Sequence, residues 1–234
     1  MLKLLSLCAI LAVSVNAASI DIMVGSATVT PTPSKVTELP DGSQLFEFDE
    51  ISDNETFEIS SLFVSFKEDP FIDYGFAVKN FTGAPLSFLF VFTTPYVGGP
   101  YSLLDSSHSS SVTDSSPTDG TVTVTTDKKA SIHTPAIDGV DIAGGALGVG
   151  CAPAGAKGFS AVCEAPAGVV GFPVATLAAG TLSITVSFTL SPGDIYTANG
   201  RAEIYNGAVI PEPSTYAMAI GGLGLLLVAR RFRR

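Results

Sequence analysis

The sequence predicts an all-β body built as a sandwich of two sheets. Short runs alternate apolar and polar residues with a period of two, which places every second side chain on one face of a strand. Glycine and proline are plentiful, at 23 and 15 of the 234 residues, and they separate these runs as turns do. Between residues 18 and 206, apolar residues nowhere repeat at helical spacing over three turns. We therefore expect one body domain over residues 18–206 with about eight to eleven strands.

The first elements of this body are short strands separated by turns. Ile20, Ile22 and Val24 alternate along the opening strand, and the Pro-rich stretch TPTPSK after it predicts a connector. The stretch SQLFEFDE predicts another short strand. The stretch TFEISSLFVSFKEDP changes its alternation in the middle, which indicates either two strands or one strand bent at residues 60–61.

The clearest strand pair lies in YGFAVKNFTGAPLSFLFVF. Apolar side chains alternate from Tyr74 to Val78 and again from Phe88 to Phe92, and residues 80–85 between them have turn chemistry. We expect a β-hairpin here. The order of strand, Asn-x-Thr-Gly turn and strand is similar to that in immunoglobulin-like modules of many bacterial surface proteins. This resemblance implies an immunoglobulin-like sandwich, and the strand count suits a jelly-roll-like sandwich as well.

The second half of the body mixes polar, small and β-branched stretches. The stretch SSHSSSVTDSSPTDG, residues 106–120, is low in complexity and too polar to pack, so it predicts an exposed loop. The stretch TVTVTT predicts a strand. TLSITVSFTL predicts another, with its large apolar side chains inward and its Ser and Thr outward. A last short strand and a linker are expected over residues 199–210.

Charge excludes one class of partner. The whole chain has a formal net charge of −10, and residues 18–210 alone carry seven Lys and Arg against twenty-one Asp and Glu, a net charge of −14. A nucleic-acid-binding surface needs a basic face for the phosphates, so we expect no nucleic-acid partner. An acidic body is compatible with a solvated surface, with cation binding or with neutral polysaccharide.

Residues 1–17 have the organisation of a secretory signal peptide. Lys3 supplies a positive start, an apolar run of about twelve residues follows, and Val15 and Ala17 place small residues before a cleavage site. The run is too short to span a bilayer comfortably, so we expect cleavage after Ala17. Cys8 follows Leu7 and not a small residue, which argues against a lipoprotein.

The other end of the chain, residues 207–234, predicts a membrane anchor. Residues 216–229 carry no charge and, as a helix, span roughly 21 Å, which a snorkelling Arg230 extends toward the bilayer thickness. Pro213 fits the first turn of such a single transmembrane helix. The helix ends in a basic cluster that resists translocation and keeps the tail in the cytoplasm. This cluster consists of Arg230, Arg231, Arg233 and Arg234.

The tail as a whole resembles the PEP-CTERM sorting signal of exported bacterial proteins. A Pro-Glu-Pro motif precedes one hydrophobic helix and an Arg-rich end, and the motif residues here are Pro211, Glu212, Pro213 and Ser214. The resemblance implies processing by an exosortase, a membrane-bound cysteine protease that removes the tail. It also implies export in a Gram-negative bacterium, first to an inner-membrane anchor and then to the cell surface or extracellular matrix. Exopolysaccharide and biofilm production accompany such systems.

Two cysteines, Cys151 and Cys163, remain after signal cleavage. An even number of cysteines in an exported chain predicts a disulfide. Its loop of about thirteen residues would stabilise the fold by roughly 3 kcal/mol in the chain-entropy account. No histidine lies near the pair in sequence, so a metal site is not expected there.

Catalytic residues are not evident from the sequence. The chain has two histidines, His108 and His133, and neither lies in a nucleophile motif, so we expect both on the surface. Paired carboxylates occur by chance among so many acids and decide nothing. Tryptophan is absent, so a platform for stacking sugars would have to use Tyr or Phe, with Tyr96 and Tyr101 as candidates.

Two acidic turns are candidates for calcium. TDSSPTDG offers Asp114 and Asp119, and IDGVD offers Asp138 and Asp141, whose oxygens suit that ion. Neither turn matches an established calcium-binding repeat, and we expect no metal or cofactor.

The sequence thus predicts an exported protein of structural or adhesive type, sorted by an exosortase and associated with exopolysaccharide or biofilm. We expect it not to be an enzyme. A carbohydrate- or calcium-binding surface module is the alternative, and a secreted hydrolase is the less favoured one.

Overall fold

The computed structural model describes residues 18–53, 55–67, 70–115, 124–126, 129–151 and 160–207. The predicted signal peptide and sorting tail lie outside these residues. The described residues form fourteen strands and one short 3-10 helix at Ala143–Gly145. The strands are β1 Ser19–Val24, β2 Ala27–Val29, β3 Lys35–Glu38, β4 Gln44–Glu47, β5 Ile51–Ser52, β6 Phe57–Lys67, β7 Phe71–Asn80, β8 Leu86–Thr113, β9 Val124–Thr126, β10 His133–Ile137, β11 Val140–Asp141, β12 Gly150–Cys151, β13 Ser160–Leu190 and β14 Ile195–Tyr205.

Two long strands, β8 and β13, organise the sheet. They pair with each other antiparallel from one end to the other, with 28 residues in β8 and 31 in β13. Near its start β8 also pairs with β1, and near its end it pairs with β14. The main order of strands is β11-β10-β13-β8-β14-β7-β6-β4-β3.

Because β8 and β13 bend, the sheet curls so that one half faces the other. We define the first half-sheet as β1, β2, β10 and β11 together with residues 86–94 of β8 and 181–190 of β13. The second half-sheet holds β3, β4, β6, β7 and β14 with residues 103–113 and 160–173. Phe76 on the second stacks on Phe90 of the first with ring centroids 4.3 Å apart, and Tyr196 meets Phe188 at 4.5 Å. The hydrophobic core fills the space between the half-sheets.

The bend itself depends on close approach of the two long strands. The register of β13 on β8 shifts twice between Pro173 and Ala179, opposite residues 97–103. At Gly99 a Cβ would overlap the carbonyl oxygen of Leu177, so only glycine allows the backbones to come so near.

The prediction of an all-β body is confirmed, and that of two separate sheets is not. The hydrogen-bonded ladder is continuous through β8 and β13, so the described residues form one curled antiparallel sheet. Among them, no helix combines the length and the hydrophobicity that crossing a bilayer requires.

The predicted hairpin between β7 and β8 is wrong, although both strands exist. β14 lies between them in the sheet, and their apolar faces meet across the core. Asn80 explains the connection, because its buried side-chain amide donates to the carbonyls of Ala84, Leu190 and Ser191 at 2.9–3.1 Å. The turn is thereby tied to the end of β13 and leads the chain into the opposite half-sheet.

The stretch predicted as either two strands or one bent strand forms one bent strand, β6. Its pairing with β7 shifts between Ser60 and Phe63, and Ser61 has a φ of 56°.

The predicted exposed loop at residues 106–120 is wrong for its first part. Residues 106–113 belong to β8, with Ser106, His108 and Ser110 buried, and residues 116–120 lie outside the described ones.

Candidate functional site

Three neighbouring strands, β7, β14 and β8, place polar residues on both of their faces. Because side chains alternate along a strand, adjacent residues of one strand point to opposite sides of the sheet. The cross-strand register aligns Tyr74, Gly200 and His108 in one row, and Asp73, Arg201 and Ser107 in the next. The first row faces the core and the second faces outward. The two rows define two candidate sites.

The inner site is a buried group of polar side chains, four aromatic rings and one serine, which we call the inner chain. It comprises Tyr196, His108, Tyr74, His133 and Ser106, each at most 3% exposed. His133 comes from β10 in the first half-sheet and stacks on Tyr74 with centroids 5.8 Å apart. Small residues on β14 make room for these rings, because Ala198, Gly200 and Ala202 face inward there. A Cβ on Gly200 would overlap the hydroxyl and ring of Tyr74.

Hydrogen bonds link the members of the inner chain in one direction. Ser106 donates to the carbonyl of Gly145 at 2.7 Å, so its oxygen accepts from Nε2–H of His133 at 3.0 Å. His133 Nδ1 then accepts from the hydroxyl of Tyr74 at 2.9 Å.

Two further contacts extend the inner chain from Tyr74 to His108 and Tyr196. The Tyr74 oxygen accepts from Nδ1–H of His108 at 3.2 Å, and His108 Nε2 lies 3.5 Å from the hydroxyl of Tyr196. These tautomers are assigned from the bonding pattern. Both rings are neutral in this arrangement, and each ring nitrogen has a partner.

The surroundings favour the neutral forms of both histidines. Burial lowers the pKa of His108 to about 4. Burial lowers the pKa of His133 to about 3, and the neighbouring His108 contributes to that lowering. Burial likewise raises the pKa of Tyr74 well above its ordinary value. The expectation of two surface histidines is therefore wrong, because both are core residues.

The inner chain contains a serine beside a histidine, which is the start of a nucleophilic triad, but it lacks the rest. The second nitrogen of His133 meets a tyrosine and not a carboxylate, and Ser106 uses its proton on the Gly145 carbonyl. Ser106 and His133 are 3% and 0% exposed, so a substrate has no access to either in this conformation. The arrangement therefore serves packing, with its polar groups satisfied.

The outer site is a shallow polar cleft of about 210 Å³ on the opposite face of the same three strands. We call it the outer cleft. Its side chains come from Asp73 on β7, from Asn199 and Arg201 on β14, and from Ser107 and Ser109 on β8. Within the part of the chain that the structure describes, the side chains of Ser107, Ser109 and Asn199 have no hydrogen-bond partner in the protein.

At the edge of the outer cleft, charged side chains contact other groups of the protein. Arg201 forms an ion pair with Glu203 at 2.6 Å and lies over the ring of Phe71 at 4.5 Å from the centroid. Burial raises the pKa of Asp73, and Arg201 partly opposes the rise. Gly75, on β7 beside the cleft, is buried beneath side chains, because a Cβ there would overlap the ring of Phe63 and the side-chain oxygen of Asn199.

The structure also places the cysteines, the tyrosines and the tail residues that the sequence singles out. Cys151 and Cys163 form the expected disulfide, which joins β12 to the start of β13. Tyr96 and Tyr101 are 1% and 8% exposed, so neither can form the proposed sugar-stacking platform. The sorting residues 211–214 and the arginines at 230, 231, 233 and 234 lie outside the described residues, as does Asp119.

The acidic side chains of the candidate calcium turns contact other groups of the protein or are buried. Asp138 accepts from the backbone N–H and hydroxyl of Thr181, and Asp141 pairs with Lys129 at 2.7 Å. Asp114 is buried. Among the described residues there is no group of three or more His, Cys, Asp or Glu side chains that could hold a metal ion.

Sequence reasoning missed both sites for the same reason. It treated the Ser-rich stretch as a loop, and this stretch supplies Ser106 and His108 to the inner chain and Ser107 and Ser109 to the outer cleft. The signal was present as a period of two, with Leu104, Ser106, His108, Ser110 and Val112 on one face.

Comparison with known proteins identifies the tail. Residues 209–234 match the PEP-CTERM protein-sorting motif. This motif indicates an exported protein of the kind that an exosortase sorts in Gram-negative bacteria. The chain is a PEP-CTERM domain-containing protein, and the match covers the tail and not the β body.

The comparisons do not assign the β body to a family. No curated protein matches the sequence at a significant level. A solved structure of TmCBM61 in complex with β-1,4-galactotriose is similar at 13% identity, over 56% of this chain and 71% of that chain. Its TM-score of 0.27 is too low to carry an inference about this protein.

Proposed function

We propose that this protein is a structural or adhesive component of the cell surface or extracellular matrix, with no enzymatic activity, and that it associates with exopolysaccharide in a biofilm. Residues 1–17 direct export, residues 216–229 hold the unprocessed chain in the inner membrane, and exosortase cleavage near residues 211–214 releases the body. The observation that carries the proposal is the sorting motif at residues 209–234.

Features of the body support a display role. A disulfide between Cys151 and Cys163 suits an oxidising compartment outside the cytoplasm. The histidine and serine residues that a hydrolase would use are enclosed in the core and bonded to one another. We further propose that the two facing half-sheets act as a sandwich-like unit, a compact platform whose outer face is open to ligands.

The test follows the chain ends in a Gram-negative host that carries an exosortase. Intact mass and terminal sequencing of the surface protein should show a start at Ala18 and the loss of the arginine tail. In an exosortase deletion strain, and in a Glu212→Ala variant, the tail should persist and the protein should remain in the inner-membrane fraction. Glu203→Ala is a matched control outside the motif and should be processed normally. A wild-type surface protein that keeps residues 230–234 would refute the proposal.

A further inference from the structure

We propose that the outer cleft binds a single residue of an uncharged polysaccharide through its hydroxyl groups. This inference rests on the proposed function and assigns a ligand class and a site to the body. The cleft contrasts with the inner chain, whose members lie on the core side and are hydrogen-bonded to one another.

The side chains of the outer cleft have the chemistry that recognises hydroxyl groups. The Asp73 carboxylate accepts hydrogen bonds, the Asn199 amide donates and accepts, and the hydroxyls of Ser107 and Ser109 do both. They stand in adjacent register rows of three neighbouring strands, so they converge on one small space. Vicinal hydroxyls of a sugar ring match such a mixed and closely spaced set of donors and acceptors.

Three of these side chains lack a hydrogen-bond partner among the described residues, which favours the binding of a ligand there. Ser107, Ser109 and Asn199 have no partner among the described residues, whereas Ser106 and His108, their neighbours on β8, are fully bonded in the core. Rigid strands hold these free groups, so little conformational entropy is lost when a ligand binds them.

Charge restricts the ligand to an uncharged one. Arg201 is the cationic group of the cleft, and Glu203 already pairs with it at 2.6 Å. Asp73 adds a second acid in the same area, and residues 18–210 carry a net charge of −14. A uronic acid, sulfate or phosphate would meet repulsion there, while a neutral sugar would not.

Size and shape restrict the ligand further. The cleft, at about 210 Å³, is smaller than the pockets of about 300–1,000 Å³ that enclose drug-sized molecules. It is open on one side, and the ring of Phe63 lies beside Asn199 at its border. One sugar ring fits, with the polymer continuing over the open face, and binding of a chain would gain from many copies of the protein on a surface.

The experiment measures retention of the purified full chain, in a detergent without a sugar headgroup, by immobilised neutral polysaccharides. Dextran, galactan and mannan serve as neutral probes and alginate as the anionic one. We expect retention by at least one neutral polymer, little retention by alginate, and no weakening when salt rises from about 0.05 to 0.5 M, because screening does not affect uncharged partners.

Variants then locate the binding site. Ser107→Tyr should fill the cleft and abolish retention, and Asn199→Ala should weaken it about tenfold or more through the loss of a bidentate side chain. Thr185→Tyr places a tyrosine on the outer face of the first half-sheet instead and should bind like the wild type. Circular dichroism and thermal unfolding must show each variant folded.

Three results would overturn the inference: retention by none of the neutral polymers, stronger retention by alginate, or wild-type binding by a folded Ser107→Tyr variant. These outcomes are separable from failure of the proposed function. A protein that is processed and displayed normally but binds no neutral polymer refutes this inference alone, whereas an unprocessed chain refutes the sorting proposal.

Discussion

The inner chain and the outer cleft are built from alternating residues of the same strands, and they differ in what their polar groups are bonded to. Ser106 and Ser107 are neighbours in β8, yet one is 3% exposed and donates to a carbonyl while the other is exposed and has no partner among the described residues. Polar character alone therefore does not mark a functional site in this body. The inside uses polar groups to complete a core, and the outside leaves them available.

The comparison also shows why histidine is a poor guide to function here. His108 and His133 are the two histidines of the chain, and both sit where burial keeps them neutral. A neutral imidazole has one donor and one acceptor, which is what a one-directional chain between tyrosine and serine requires.

The largest expected effect is acid destabilisation of the inner chain. The folded pKa values of about 4 for His108 and about 3 for His133 lie below the ordinary value of 6.5. The unfolded state therefore binds more protons, and stability is retained above pH 6.5 and lost as pH falls toward 4 and 3. At about 1.4 kcal/mol per pH unit and group, several kcal/mol should disappear across this window in urea unfolding of the full chain.

A variant separates the histidines from other groups in that measurement. His108→Asn keeps a donor near the position of Nδ1 and removes the titration, so its stability should fall less steeply between pH 6.5 and 4. Asp53, whose pKa is lowered to about 2 mainly by the backbone N–H of Thr56, acts only at lower pH. Equal slopes for the variant and the wild type would mean that His108 does not titrate as described.

The next effect compares two glycines on opposite faces. Gly200→Ala should cost about 2–4 kcal/mol, because the new methyl overlaps the Tyr74 hydroxyl, which two histidines hold in place. Gly75→Ala should cost less than about 1.5 kcal/mol, since the Phe63 and Asn199 side chains at the surface can move aside. Chemical denaturation of both variants at pH 7 measures the difference, and the reverse order would contradict the packing described.

A smaller effect compares the two neighbouring serines. Ser106→Ala removes a bond to the Gly145 carbonyl and leaves Nε2–H of His133 without its acceptor, at a cost of about 1–3 kcal/mol. Ser107→Ala should change stability by less than about 0.5 kcal/mol. Urea unfolding of both variants at pH 7 measures the two costs. If Ser107→Ala proved the more destabilising substitution, the assignment of the two faces would be wrong.

Another small effect is expected for the ion pair at the rim of the outer cleft. Arg201 and Glu203 are 43% and 33% exposed, so water screens their attraction. Arg201→Gln should lower the free energy of unfolding by about 1 kcal/mol or less, including lost contact with the Phe71 ring. Thermal unfolding at low and high salt gives this value, and a loss of several kcal/mol would show that Arg201 has a structural role beyond the rim.

Much of the fold is predictable because alternation is a local signal. The apolar alternation in β7 and in the first part of β8 predicts both strands correctly, and the change of alternation in β6 correctly allows for its bend at residues 60–61. Partners of strands are not predictable in this way, since Asn80 fixes the turn through carbonyls at residues 190 and 191, more than a hundred positions away.

The sites are harder to predict than the fold. A run of serines looks like a solvated loop, and only the opposing half-sheet, with His133 and Tyr74, supplies the partners that make such a run stable inside a core. By contrast, the disulfide and the sorting tail are predictable, because export limits the options for two cysteines and because the tail motif is contiguous.

The most direct test of the contrast between the two faces is the protonation state of the two histidines. Nitrogen-15 NMR of the untagged full chain, labelled at histidine, should show two neutral rings at about pH 6 with opposite tautomers. His108 should carry its proton on Nδ1 and His133 on Nε2, both protected from exchange with water. A charged or rapidly exchanging ring at that pH would contradict the account, because the inner chain would then be open to solvent and a candidate for chemistry.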